Sequence, residues 1–411
     1  MSSALSDVKV LDLSRVLAGP WATQILADLG ADVIKVERPA LGDETRAWGP
    51  PYLRDRDGNT TSESAYFLAA NRNKRSLAID IATAAGQKII RDLVAKSDVL
   101  VENFKTGGLV QYGLDYDSLR ELNPRLIYCS VTGYGQSGPY ANRPGYDFAI
   151  QAMGGLMSIT GVPDGQPGAG PQKVGVALTD VMTGIYASSA ILAALHHRTV
   201  TGVGQRIDLS LLDVQLATLA NQASNFLTTG ISPVRLGNAH PNIVPYQDFE
   251  TSDGRIVIAV GNDEQFKALC RTIGCEGLPN EERFATNRRR VEFRTVLIPL
   301  LREQIKLWRN AELLAALEAA GVPCSPVNDI GQAFQDPHVS VRGAVIEQPH
   351  PLAGIVRTVA SPIRMSETPV DYRNPPPLLG QHTREILEGV LGLSNDVIEQ
   401  LQKQRVIKVL K

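Results

Sequence analysis

The 411-residue chain is 43% hydrophobic and 20% charged, an ordinary globular composition in a chain long enough for two domains. With 41 basic against 43 acidic side chains and a net charge of −2, it has no cationic excess to neutralise a nucleic-acid backbone, which argues against a dedicated nucleic-acid binder. MSSALSDVKVLDLS does not pair a basic segment with an apolar core, and no uninterrupted apolar run reaches the ~18 residues of a membrane span, so a cytoplasmic protein with no membrane partner is expected.

In chain order, VKVLDLS has the pattern of a buried strand, Ala18-Gly19-Pro20 that of a turn, and WATQILADLG that of a helix closed by Gly30. ADVIKVE, SLAIDI, SDVLVEN and RLIYCSVTGYG continue the strands, with AGQKIIRDLVAK and DYDSLRELNP as helices between them. This alternation predicts an α/β domain with a parallel sheet. Ligands sit at the carboxyl ends of such strands, here in the loops SRVLAGP, ERPALGDETR, ENFKTGG and TGYGQSGP. From about Ser224 the texture changes. FETSDGRIVIAVGN predicts a hairpin turning at Asp253-Gly254, and DEQFKALCRTIG, RTVLIPLLREQIKLW and NAELLAALEAAG predict the helices of a smaller α+β domain. A proline-bearing stretch and the helix HTREILEGVLGL close the chain. The expected division is 1–224 for the larger domain, 225–329 for the smaller, and 330–411 for a return to the larger.

Common cofactor and hydrolase motifs are missing: GxGxxG after the first strand, GxxxxGK[ST], GxSxG and HExxH. Cys129, Cys270, Cys275 and Cys324 form no CxxC pair, and the six histidines lack metal-ligand spacing, so no metal and no redox cofactor are expected. What remains is loop chemistry. Arg38 follows the second strand, NRNKRS brings three cations together before another, and Lys105 lies in ENFKTGG; each is either solvated or a phosphate ligand.

Asp180 is the lone acid in KVGVALTDVMTGIYASSAILAALHH, and two roles fit it: a helix N-cap, or a nucleophilic carboxylate that forms an acyl intermediate. RLGNAHPNIVPY is similarly open between a plain turn and a mobile lid.

Taken in order, VLDLSRVLAGPWATQILADLGADVIKVERP, NRNKRSLAIDI, VENFKTGGLVQYGL, GYGQSGPYANRPGYDFAIQAMGGLMSITG, QKVGVALTDVMTGIYA, PVRLGNAHPNIVPY and PLLGQHT resemble the class III CoA transferases, the CaiB/BaiF family. The resemblance implies a Rossmann-like large domain, a small inserted domain, and an interlocked ring-like homodimer whose active site lies between the large domain of one subunit and the small domain of the other. It implies Asp180 as nucleophile, with acyl-CoA and a small, dicarboxylic acid as substrates. It places Val16, Ala18, Arg38, Lys74, Arg75, Asn103, Phe104 and Lys105 against CoA, with Leu17, Tyr146, Asp147, Gly237, Asn238 and His240 at the substrate pocket or lid. Leu17 stands where the formyl-CoA branch has glutamine. The family's 2-methylacyl-CoA racemases are the alternative, but they pair the aspartate with histidine in a GHD block. Here Tyr146-Asp147 makes it GYD, and tyrosine is a poor proton carrier near neutrality.

Overall fold

The computed structural model describes residues 3–410. They divide into two compact units: 3–156 with 173–231 and 341–410, and 157–172 with 232–340. Residues 157–172, assigned from the sequence to the larger domain, therefore group with the smaller unit.

The first unit opens with β1 (Lys9–Asp12), α1 (Ala18–Asp28), β2 (Asp32–Glu37), a hairpin of β3 (Tyr52–Arg54) and β4 (Thr60–Ser64), and α2 (Ala65–Ala69). It continues through β5 (Lys74–Ile79), α3 (Ala84–Val94), β6 (Val99–Glu102), α4 (Tyr116–Leu122), β7 (Ile127–Thr132) and α5 (Asp147–Met153). After the short α6 (Leu156–Ile159) come α7 (Leu178–Thr201), β8 (Arg206–Ser210), α8 (Leu211–Thr218) and α9 (Ala220–Thr229). The sheet order is β14-β5-β2-β1-β6-β7-β8, where β14 (Ile407–Lys408) is the C-terminal strand; it is antiparallel to β5, and every other pairing is parallel. Chain order reverses at β1, so the loops after β1 and β6 diverge and open a crevice at their carboxyl ends.

Side chains alternate across this sheet. Val10, Val99, Val101, Ile127 and Cys129 face one core with α1 and α7; Leu11, Leu100 and Tyr128 face the other. Ala18-Gly19-Pro20 forms the first turn of α1 rather than a separate turn. Proline suits that position, because the first turn has no intrahelical acceptor for its missing N–H.

Helix α7 is long and apolar enough to cross a membrane by length and composition, although it holds no uninterrupted apolar run of that length. Asp180 and Arg198 interrupt its apolar run. Ala187, Ile191 and Ala194 pack with Ala18, Ala22 and Leu26, so the helix covers the sheet. A Cβ on Gly184 would lie 2.8 Å from the Ala18 carbonyl oxygen, and its absence lets α7 and α1 close up.

In the second unit β9 (Tyr246–Glu250), β10 (Arg255–Ala259) and β11 (Cys324–Pro326) form an antiparallel sheet. Against it lie α10 (Asp263–Thr272), α11 (Asn287–Glu292), α12 (Arg294–Ile305) and α13 (Asn310–Ala319), followed by the short α14 (Ile330–Gln335) and α15 (Pro337–Val341). Phe249, Ile256, Phe266, Leu297 and Leu313 are central to its core. The first unit resumes with the hairpin β12 (Val345–His350) and β13 (Gly354–Val359), then α16 (Thr383–Gly389), α17 (Asn395–Lys403) and β14.

Candidate active site

The loop leaving β1 is held in a demanding shape. Val16 adopts φ 70°, a left-handed conformation that a β-branched residue rarely takes. Surrounding bonds impose it: the Val16 amide donates to Asp43 (3.3 Å), and the Arg15 amide donates to Asn103 Oδ1 (2.9 Å). Asn103 Nδ2 donates back to the Arg15 carbonyl (2.7 Å), which joins the loops after β1 and β6. From β2 the buried Lys35 ammonium donates to the Ser14 carbonyl (3.0 Å) and to Asp43 (2.9 Å). Strain fixed by so many partners is typical of a binding loop.

Asp180 lies in the first turn of α7. Ala177 is the N-cap and makes no side-chain cap bond; Asp180 is the third helical residue. The capping role falls to Asp147, at the start of α5. Its Oδ1 accepts the amides of Thr179 (2.8 Å) and Asp180 (3.3 Å), and its Oδ2 accepts Gln151 Nε2 (2.7 Å). Gln151 in turn accepts the Val174 amide (3.0 Å) and ties down the approach to α7. The segment carrying Tyr146 and Asp147 also passes backbone to backbone over the end of β7. A Cβ on Gly133 would sit 2.6 Å from Gly145 Cα, and one on Gly145 would sit 2.5 Å from Gly133 Cα.

Burial first, and the nearby Asp147 charge second, push the Asp180 carboxyl up to about 7. Tyr66 on α2 lies close enough to feel it. Burial and the charges of Asp180, Asp147 and Asp43 push its hydroxyl up to about 12, and its ring meets Trp48 edge-on at 5.1 Å.

These loops enclose a cavity of about 200 Å³ at the carboxyl ends of β1, β6 and β7. Of the residues proposed from sequence, Val16, Leu17, Ala18, Asn103, Phe104, Lys105, Tyr146 and Asp180 line it, and Asp147 is bonded directly behind Asp180. Arg38 is exposed at the end of β2, outside the lining. Gly237, Asn238 and His240 belong to the second unit, where Gly237 has φ 62°.

Two of the expected phosphate ligands need correction. Lys74 has no exposed side-chain surface; it is bonded to Asp12 (3.1 Å), the Pro20 carbonyl (2.9 Å) and Asn71 (2.9 Å) beneath the β1 loop. Arg75, on the opposite face of β5, is committed to Asp32 (2.6 Å) and Glu385 (2.9 Å). The cavity does contain cations that the sequence did not single out. Arg143 stacks on Tyr140 at 3.9 Å, and Arg15, ion-paired to Glu44, lies over Phe104 at 5.1 Å. Among the described residues no group of three metal-binding side chains converges.

Residues 5–383 match the model of CoA-transferase family III. Among curated relatives, the succinate–glutarate CoA-transferase of Agrobacterium fabrum is 51% identical over 93% of this chain and 94% of its own length. The human succinyl-CoA:glutarate CoA-transferase is 44% identical over 98% and 90%. The succinyl-CoA:mesaconate CoA-transferase of Haloarcula marismortui is 39% identical over 94% and 96%. Among solved structures, a CaiB/BaiF family protein from Brucella suis is 48% identical, covers 95% of this chain and 100% of its own, and superposes with a TM-score of 0.83.

Proposed function

This chain belongs to CoA-transferase family III and is a CoA-transferase, and on that premise we propose that it moves CoA from succinyl-CoA to a small dicarboxylic acid such as glutarate, with Asp180 as covalent nucleophile. The observation that carries the proposal is the Asp180 carboxylate at the wall of a cavity built from the loops after β1, β6 and β7.

In the proposed reaction an Asp180 oxygen attacks the thioester carbonyl of succinyl-CoA. The C–S bond breaks, CoA leaves as thiolate, and an aspartyl–succinyl anhydride remains. The thiolate then attacks the Asp180 carbonyl, releasing succinate and leaving an aspartyl-CoA thioester. The acceptor carboxylate attacks that thioester and expels thiolate, which finally attacks the acceptor carbonyl and frees Asp180. Each step exchanges one acyl bond for another, so no metal or redox cofactor is required. Enclosure protects the anhydrides from water.

For CoA itself, the proposal places the pantetheine arm along Val16, Leu17, Ala18, Asn103 and Phe104, and assigns its phosphates to Lys105 and Arg143. The proposal also includes a homodimer. Val200, Leu227 and Ile231 are 74%, 80% and 73% exposed on the first unit, and Phe226 lies half-exposed on the same α9 helix as Leu227.

The test is incubation with succinyl-CoA and a panel of mono- and dicarboxylates, with CoA products read by mass, followed by hydroxylamine trapping during turnover. Glutaryl-CoA formation and an Asp180 hydroxamate, both abolished in Asp180→Ala, are the expected results. Full transfer by Asp180→Ala, or α-proton exchange with solvent without acyl transfer, overturns the proposal.

A further inference from the structure

We propose that Asp147 is a positioning residue for Asp180: its carboxylate occupies the free amides at the start of α7, leaves the Asp180 side chain without backbone donors, and sets a second negative charge behind the nucleophile. This rests on the proposed role of Asp180.

The geometry has three parts. First, the amides of Thr179 and Asp180 both point to Asp147 Oδ1, at 2.8 and 3.3 Å. A helix start concentrates positive potential on such amides, and a carboxylate that takes them is stabilised in its ionised form. Were the Asp180 side chain to fold back onto them, it would be a stable, weakly nucleophilic cap. Asp147 prevents that by being there already.

Second, Asp147 is itself held. Gln151, fully buried, donates to Oδ2 at 2.7 Å and accepts the Val174 amide at 3.0 Å, while Thr179 Oγ donates to the buried Gln215 at 2.6 Å. The carboxylate is therefore held by three N–H donors, two from the start of α7 and one from Gln151 of α5.

Third, the charge balance changes during the reaction. In the resting site the Asp147 charge acts on the Asp180 carboxyl. When Asp180 attacks a thioester, its new C–O bond makes it neutral and the electron pair departs with the CoA sulfur, so the repulsion from Asp147 disappears on acylation. Asp147 thus favours the acylated enzyme over the free one without touching substrate.

The other groups around Asp180 do not substitute for it. Tyr66 faces it from α2, and Arg15, Lys105 and Arg143 lie across the cavity. On the packed elements, α1 carries only Asp28, paired to Arg72, and α8 only Asp213, exposed at the surface. Strands β7 and β8 bring Tyr128, Cys129, Arg206 and Asp208. Only Asp147 is both bonded to the backbone of Asp180 and a source of its raised carboxyl.

Asp147→Asn tests this, because the amide oxygen can still accept from α7 while the charge is gone. Two measurements are made on parent, Asp147→Asn and Asp180→Asn, with a thermal melt to confirm folding. One is the pH profile of kcat/KM for transfer from succinyl-CoA. The other is a carbon-13 carboxylate titration of the resting protein, which needs no turnover. In the parent a carboxylate titrating near 7 disappears with Asp180→Asn. In folded Asp147→Asn that titration, and the acidic limb of any measurable rate profile, move to lower pH by about one unit or more. An unmoved titration overturns the proposal even when the parent transfers CoA normally. Loss of covalent chemistry at Asp180 would instead overturn the functional reading, and the resting titration would still report on the pair.

Discussion

The Lys74 ammonium lies 3.1 Å from the Asp12 carboxylate, and neither side chain has any exposed surface. Burial lowers Lys74 to about 8 despite Asp12, whereas Asp12 is held below the ordinary carboxylate range because Lys74, Lys35 and the hydroxyls of Ser14 and Thr23 together outweigh its own burial. Thr23 of α1 also donates to Asp12 (2.6 Å), so the pair joins β1, β5 and the first turns of α1 beneath the cavity floor. Its work is architectural.

Replacing Lys74 by Met should therefore act on stability. The substitution leaves Asp12 charged and buried with Lys35 as its remaining cation, at a cost of about 3–5 kcal/mol. Urea denaturation checks this. A large rise in KM for acyl-CoA with an unchanged unfolding midpoint would instead restore Lys74 as a phosphate ligand.

Arg143 and Lys105 are expected to behave the opposite way. Arg143→Ala and Lys105→Ala should each raise KM for succinyl-CoA by roughly 3- to 30-fold, the loss of one charge-assisted contact on a partly solvated phosphate. Melting temperatures should stay within a degree or so of the parent, since both side chains are exposed. Added salt should narrow the difference between variant and parent. Unchanged KM in both variants would remove these residues from the CoA site.

Asp180→Asn should stabilise the protein in alkaline solution. The folded carboxyl is pushed up to about 7 from an ordinary 3.8. Between those values the native state holds a proton that the unfolded chain has released, so stability declines as pH rises from about 4 and the full penalty is present above about 7. Asparagine never carries that charge. Discounted for partial exposure, the gain at pH 8 is on the order of 1–2 kcal/mol. Thermal melts at pH 8 and pH 4.5 separate the cases, and an equal gain at both would show that charge is not the cause.

The exposed side chains of α9 give a further test. Leu227→Asp should convert a dimer to monomer in light scattering after size exclusion while keeping the circular dichroism of the parent. A parent that is monomeric at micromolar concentration would end the dimer proposal, and α9 would then face solvent as it stands.

Much of the large unit was legible in the sequence. Strand and helix alternate with clear periods over residues 9–37 and 74–132, the apolar positions of β1, β6 and β7 define two faces, and the hairpin β3–β4 with α2 between those stretches was not expected. The hairpin at Asp253-Gly254 also formed where turn chemistry placed it. What local patterns could not supply was the destination of long side chains. Lys74 and Arg75 are neighbours in sequence, yet strand alternation sends one into the interior and the other to Asp32 and Glu385. The same limit hid the cap of α7. An acid in the first turn looks like its own cap, whereas the acceptor comes from Asp147, 33 residues earlier in the chain than Asp180. Arg143 left a weak signal, a lone cation before Pro-Gly after a buried strand. Tyr66 left none, because its meaning depends on where α2 folds.

The paired glycines 133 and 145 bear on how this site could diversify. Because each occupies the space that the other's Cβ would need, no exchange of side chains between them can restore the fit. In a saturation library across this region those two columns should fall silent together, while the exposed position 142 tolerates many residues. Variation in what the cavity accepts would then accumulate in the loop's span and leave its crossing point alone, like a bridge rebuilt repeatedly on one fixed pier.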